Sequence, residues 1–193
     1  YTLRITATDT QFTVSDQVIV VVGSSLVAAD WMTQDLTPTS ARRGQGLEFG
    51  GIYSVTGTGA GYASTTDGGH VMVRQVSGDA SIVARLTELP VSTALGGLTM
   101  RDSMARGARR AVLGFVPGTG LQFRARTTAS AVDTVVASAT GLSLPLWLKM
   151  ERDATTQEVT ASYAADVAGA PGTWTQLGAA TAIAMGSDAQ VGL

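Results

Sequence analysis

The chain carries one histidine, His70, and no cysteine among 193 residues. A Ser-His-Asp relay would have to use His70, yet no Gly-x-Ser-x-Gly elbow, the sharp turn that presents a nucleophilic serine, occurs in the chain. His70 also stands in an alternating run with Val71, Met72 and Val73, which reads as a histidine on the surface of a strand. Zinc sites need several ligands at defined spacing, and HExxH is absent. The lack of cysteine excludes disulfides and thiolate metal sites.

Glycoside hydrolysis needs two facing carboxylates. Most acids here sit beside Gly, Ser or Thr, where carboxylates cap backbone amides. No Glu-x-Asp-x-Glu phrase places acids at period two on one sheet face. Calcium, which prefers loop carboxylates and carbonyls, is the one cofactor these residue types admit. Its candidate ligands are Asp67 in Thr-Thr-Asp-Gly-Gly and Asp79 in Ser-Gly-Asp-Ala, with turn capping as the competing reading. The run Gly57-Thr58-Gly59-Ala60-Gly61 opens no helix and so reads as a connection between strands, not a phosphate cradle.

Sugars stack on exposed Trp and Tyr faces, because the apolar face of a pyranose covers the ring while its hydroxyls meet polar side chains. Tyr53, Tyr62, Trp147 and Trp174 are the candidate ligand-binding residues. Trp147 alternates with Lys149 and Glu151, while Leu146, Leu148 and Met150 share the opposite face. The apolar trio claims the core, so Trp147 is expected at an open face or a domain seam.

The elements that position these residues read as strands. A composition of 45% hydrophobic and 15% charged residues, rich in glycine, favours strands joined by tight turns. Expected strands in the main domain include 70–76, 81–89, 98–102, 111–116, 121–127, 146–152, 158–163 and 189–193, with shorter ones at 47–49, 52–55, 132–137 and 174–177. Ser77-Gly78-Asp79-Ala80 reads as a hairpin turn, as does Pro117-Gly118-Thr119-Gly120. Residues 103–110 are the best candidate for a helical turn. Arg106, Arg109 and Arg110, with Asp102 nearby, read as a solvated loop. A net charge of −2 argues against nucleic acid as a partner. No apolar run reaches the length of a membrane span, and no signal peptide is present.

At the N-terminus, Tyr1, Leu3 and Ile5 alternate with polar residues, and an apolar run follows Ser15-Asp16-Gln17. This resembles the last hairpin of an immunoglobulin-like PKD or cadherin-like domain. The expected organisation is that hairpin and a Gly23-Ser24-Ser25 linker over residues 1–24, then one domain over residues 25–193. The missing initiator Met reads as a piece cut from a longer precursor.

Further phrases run in order through the main domain: Gly51-x-Tyr53-x-Val55-x-Gly57, Ser77-Gly78-Asp79, Gly97-Leu98-Thr99-Met100-Arg101, Phe123-x-x-Arg126, Pro145-x-Trp147-Leu148, Ser162-x-x-x-Asp166 leading to Trp174, and Val191-Gly192-Leu193. With them the domain resembles the concanavalin A-like lectin/glucanase superfamily, and more narrowly the DUF1349-type and LamG-like modules of bacterial secreted proteins. The resemblance implies an all-β, two-sheet antiparallel jelly-roll sandwich. It implies carbohydrate binding or adhesion more than catalysis, with a polysaccharide or cell-surface glycan and neighbouring domains as partners, at a secreted or cell-surface location. A ligand-free spacer and a glycoside hydrolase are the alternatives. The chain departs from the family's compact Ser-x-Asp-Gly-x-x-Trp phrase through an insertion at residues 164–173, and it offers no catalytic set to transfer.

Overall fold

The structure is a computed structural model that describes residues 30–36, 43–59, 61–62, 64–89 and 94–193, together with the backbone of two N-terminal strands. Those strands, β1 (Thr2–Thr8) and β2 (Thr13–Ile19), pair antiparallel with Thr2 opposite Ile19 and Thr8 opposite Thr13. The expected linker at 23–25 and the domain start near residue 26 lie outside the described residues.

The remainder is an all-β sandwich. Its strands are β3 (Met32–Asp35), β4 (Gln45–Phe49), β5 (Ile52–Thr56), β6 (His70–Ser77), β7 (Ala80–Leu86), β8 (Gly96–Arg101), β9 (Arg110–Val116) and β10 (Gly120–Arg126), then β11 (Thr134–Ala139), β12 (Leu146–Asp153), β13 (Glu158–Val167), β14 (Ala170–Pro171), β15 (Thr175–Gln176), β16 (Thr181–Ala182) and β17 (Asp188–Gly192). One sheet has seven strands in the order β11-β10-β9-β8-β17-β6-β3. The other runs β7-β12-β13, and β14, β15 and β16 pair in turn along the far side of β13. All pairings are antiparallel. No helix occurs among the described residues, and so none is long and apolar enough to cross a membrane.

Period-two alternation builds the core. From the seven-stranded sheet, Leu98, Met100, Leu113, Phe115, Leu121 and Phe123 point inward. From the other sheet, Leu146, Leu148, Met150, Val159 and Ala161 meet them, and Leu177, Ile183 and Met185 close one side. On β12 the burial alternates as the sequence pattern requires, with Trp147, Lys149 and Glu151 on the opposite face from the apolar trio. Residues 164–173, expected as an insertion, form a β-hairpin. β13 runs on to Val167 and returns as β14 through Ala168 and Gly169, both at positive φ.

Two local expectations change. The turn at 77–80 is a corner between sheets, not a hairpin, because β6 pairs with β17 and β3 while β7 pairs with β12. The amide of Gly78 donates to the carbonyl of Ser187, and that bond anchors the corner to the entry of β17. Residues 103–110 form no helix. Residues 103–109 are a looped connection whose carbonyls turn towards buried arginines, and Arg110 opens β9. A true two-residue hairpin joins β4 and β5, where Gly50 and Gly51 stand at φ +59° and +82° between Phe49 and Ile52. Only glycine adopts both positions readily, and the resulting turn matches strand twist.

Leu148 is 1% exposed at the centre of the inter-sheet core. Leu148→Ala is expected to cost about 2–5 kcal/mol, read as a lower urea midpoint with an unchanged slope.

Candidate functional site

The outer face of the seven-stranded sheet holds a row of arginines. Arg101 lies opposite Arg110, and Arg110 opposite Arg126, so three guanidiniums stand side by side across β8, β9 and β10. All three residues are fully buried. Like charges in directly opposed positions repel, so the row exists only because carboxylates are inserted into it. Asp67, also fully buried, lies 3.0 Å from Arg101 Nη2, 2.9 Å from Arg110 Nε and 2.7 Å from Arg126 Nη2. Asp133 lies 3.2 Å from Arg110 Nη2 and 2.6 Å from Arg124 Nε.

Carbonyl oxygens satisfy most of the remaining guanidinium hydrogens. Arg101 donates to Ser103 and Ala105, Arg110 to Tyr62, and Arg126 to Ser64, Arg106, Ala108 and Ala131. Three loops are thereby tied down over the sheet: the one entering β6, the one between β8 and β9, and the one between β10 and β11. Burial pushes the Arg101 guanidinium down from its ordinary value while Asp67 pushes it back up. The expected solvated arginine loop is corrected here. Arg109 is partly open, 3.7 Å from Asp102, but Arg110 is the centre of the cluster.

Tyr62 belongs to this covered face. Its ring lies 4.6 Å from Arg110 Cζ, and it packs with Met104 over Leu36, Val71 and Val73. Burial raises its phenol above the ordinary range. His70 is not a surface histidine either. Its side chain is 5% exposed, and its Nδ1 lies 3.0 Å from Asp35 Oδ1 across the β3–β6 pairing. Hydrogen bonds from His70 and the Gly44 amide hold the Asp35 carboxyl below its ordinary value. The backbone of Gly57 and Gly44 crowds His70 closely, so β4 and β5 cover it.

The outer face of the six-stranded sheet is built differently. Trp147 on β12 faces Ala164 on β13 and Arg85 on β7. Ser162 pairs with Gln176 and Tyr163 with Thr175, and Trp174 stands one residue before that pairing, towards the end of β13 that carries Ala164. Lys149, on the same face of β12, places its ammonium 5.2 Å from the Trp174 ring centre, which confirms the side on which Trp174 lies. Arg85, Trp147 and Ala164 thus form one row, and Trp174 lies on the same face beyond β13. Ala164 points away from the core yet is only 1% exposed, flanked by the two half-buried indoles.

Asp166 fixes one end of the row. It accepts from Trp147 Nε1 at 2.9 Å, from Arg85 Nε at 2.7 Å and Nη2 at 2.8 Å, and from the Gly169 amide at 3.3 Å. The Arg85 guanidinium, ahead of the indole bond, holds the Asp166 carboxyl down to about 2. Lys149 in turn pairs with Glu151 at 2.9 Å.

The other singled-out residues lie elsewhere. Tyr53 sits on β5, exposed, with its ring 5.3 Å from that of Trp31. Asp79 Oδ1 accepts from the Ala154 amide at 2.9 Å and so caps a turn. Asp67 is enclosed by guanidiniums that supply the positive charge a cation would bring. Among the described residues no group of three or more His, Asp or Glu side chains is disposed to hold a metal. The structure thus brings Trp147 and Trp174 onto one face and leaves Tyr53, Tyr62, Asp67 and Asp79 apart from them. Arg85, Lys149 and Asp166 complete that face. Their signal in the sequence was the outward register of β12, read one strand further on each side.

Two outcomes follow from these geometries. Asp67→Asn leaves three buried guanidiniums short of a counter-charge, and a loss of about 3–5 kcal/mol is expected in chemical denaturation. Asp166 has a depressed folded pKa, so its contribution is complete above the unfolded value near 3.8 and is lost as pH falls through about 2. The Trp147 Nε1–H resonance should hold its position at pH 3.8 and shift with a midpoint near 2, and Asp166→Asn should abolish that transition. Comparison with protein families, with curated proteins and with solved structures finds no match to this chain.

Proposed function

We propose that this chain is a non-catalytic carbohydrate-binding or adhesion module, a jelly-roll domain of the concanavalin A-like kind within a secreted multidomain bacterial protein. The observation that carries the reading is the pair of half-buried indoles on the open face of the six-stranded sheet, Trp147 and Trp174, flanked by polar groups. Pyranose rings stack on such surfaces while their hydroxyls meet side chains at the rim. The rim here offers Arg85, Lys149 and Gln176. An adhesion module needs no reactive group, and the acids on this face fit that role. A groove of about 520 Å³ further along the sheet is lined by Asp79, Glu151, Asp153 and Glu158. Glu151, Asp153 and Glu158 are exposed, and amides of Thr156 and Thr155 hold Asp153 below its ordinary value. A general acid for glycoside hydrolysis needs the opposite, a carboxyl raised by burial.

A ligand-free spacer is the second reading. It draws on the same face, because the Trp147 indole N–H is already bonded to Asp166 and the Trp174 ring is already covered on one side by Lys149.

Affinity electrophoresis in gels containing β-glucan, mannan, xylan or soluble chitin derivatives separates the two. Retardation by at least one polymer is expected, with Trp147→Ala and Trp174→Ala each reducing it by roughly tenfold in affinity, equivalent to ~1.4 kcal/mol. Unretarded migration of the folded protein through every polymer would favour the spacer.

A further inference from the structure

The β4–β5 hairpin has two unlike faces. On one, Gly44, Gly46 and Gly57 lie hard against β3 and β6. A Cβ would stand 2.5 Å from the His70 side chain at Gly44, 2.8 Å from Thr33 at Gly46 and 2.7 Å from the His70 amide nitrogen at Gly57. Glu48 and Tyr53, paired with each other, share that face by period two. Phe49 and Ile52, paired across the turn, therefore point the other way with Leu47 and Ser54. They are 61% and 75% exposed. Between them Gly50 and Gly51 have open space where side chains would stand, so the turn projects into solvent.

The tip carries little that resists leaving water. From Leu47 to Ser54 the one charged residue is Glu48, on the face opposite Phe49 and Ile52. Its Oε1 accepts from the Gly51 amide at 2.9 Å, so this turn donor is satisfied within the hairpin. One residue back from the tip, about 3.4 Å along the strand, Tyr53 is 40% exposed and its ring lies 5.3 Å from that of Trp31. Amphipathic rings settle at the headgroup level of a bilayer, with apolar side chains beneath them.

Size selects the partner. Phe49 and Ile52 together expose on the order of 300 Å², against the ~800 Å² that each side of a stable protein interface commits. A lipid surface sets no such minimum, because binding follows the apolar area buried.

We propose that the β4–β5 tip is a membrane-docking element, with Phe49 and Ile52 entering the outer acyl region of a bilayer and Tyr53 and Trp31 among the headgroups. The tip shares no residue with the indole pair of the open sheet face. Two side chains bind less strongly than one myristoyl chain, whose association constant is on the order of 10⁴ M⁻¹, so the docking is reversible.

The test is co-sedimentation of the full chain with sucrose-loaded phosphatidylcholine vesicles at up to about 10 mM lipid. Phosphatidylglycerol vesicles serve as the charged comparator. Half-saturation at roughly millimolar lipid is expected with both, with little change on added salt. Phe49→Ser and Ile52→Ser should each weaken binding by about tenfold. Both positions are exposed, so the variants are expected to keep the wild-type thermal midpoint. Ile52→Trp should strengthen binding, since a bilayer accepts a large ring where a shaped protein pocket would not. Lipid brominated near the headgroup end of its acyl chains should then quench the added fluorescence.

No sedimentation at the highest lipid concentration, sedimentation confined to phosphatidylglycerol and lost with salt, or binding that survives the combined Phe49→Ser and Ile52→Ser change would each overturn the proposal. Self-association in analytical ultracentrifugation that Ile52→Ser abolishes, without vesicle binding, would overturn it in favour of a second copy of this chain.

Discussion

The buried guanidinium–carboxylate cluster is the constraint on which the rest of this molecule depends. Three arginines in one cross-strand row cannot be buried as they stand, since opposed like charges repel and each guanidinium loses its hydration. Asp67 reaches them from 43 residues away in sequence from Arg110. That single carboxylate contacts all three, and Asp133 adds a second charge between Arg110 and Arg124. The geometry forces the segment carrying Asp67 to lie against the sheet. The carbonyls of Tyr62, Ser64, Ser103, Ala105 and Ala131 follow it in, because unpaired guanidinium hydrogens in a dry site are costly. The cluster therefore sets the path of three loops as much as it stabilises a sheet.

This explains why the two outer faces differ. β9 is buried on both sides over nearly its whole length. Inward it packs Ala111, Leu113 and Phe115. Outward, Arg110 is covered by the cluster, and Leu95 rests against Gly114, where any Cβ would meet it at 2.5 Å. The small apolar group of Leu36, Val71 and Val73 with Tyr62 and Met104 extends this cover towards β6. A face closed in this way has little room for a polymer. The six-stranded sheet has no such cover over β12, and its side chains alternate cleanly between core and solvent. The outer face that these loops leave free is accordingly that of the six-stranded sheet.

Alternation made the strands legible, and it placed Trp147 correctly from the apolar partners two residues apart on either side. The short strands at 47–49 and 52–55 were legible too, and their pairing through Gly50 and Gly51 at positive φ is what the structure adds. The features that stayed hidden are those decided by distant pairing. Arg110 looked like part of a solvated loop because its neighbours Arg106 and Arg109 are exposed or partly open, and nothing within reach of it in sequence announces Asp67. His70 looked like a surface residue because its strand alternates, but the β4–β5 hairpin covers that end of β6, and Asp35 supplies a partner from the edge strand. The corner at 77–80 carried true turn chemistry. What no turn residue could disclose is that β17, the last strand of the chain, takes the place beside β6 that a hairpin partner would have filled.

The two indoles of the open face are held with unequal firmness, and the difference bears on how a ligand would meet them. Trp147 is anchored at Nε1 by a carboxylate that Arg85 and the Gly169 amide also hold, so its position is tied to β7 and to the β13–β14 hairpin at once. Rigid placement of a contact ring lowers the ordering cost of association. Trp174 stands outside any strand and is met by the flexible Lys149 chain, an exposed cation–π contact of about 0.5–1 kcal/mol. The same ammonium pairs with Glu151 at 2.9 Å. One indole is thus fixed through a carboxylate shared with Arg85, and the other is met by a single flexible chain. The hairpin at residues 164–173 contributes to this arrangement, since it supplies the amide that helps to fix Asp166 and leads the chain to Trp174.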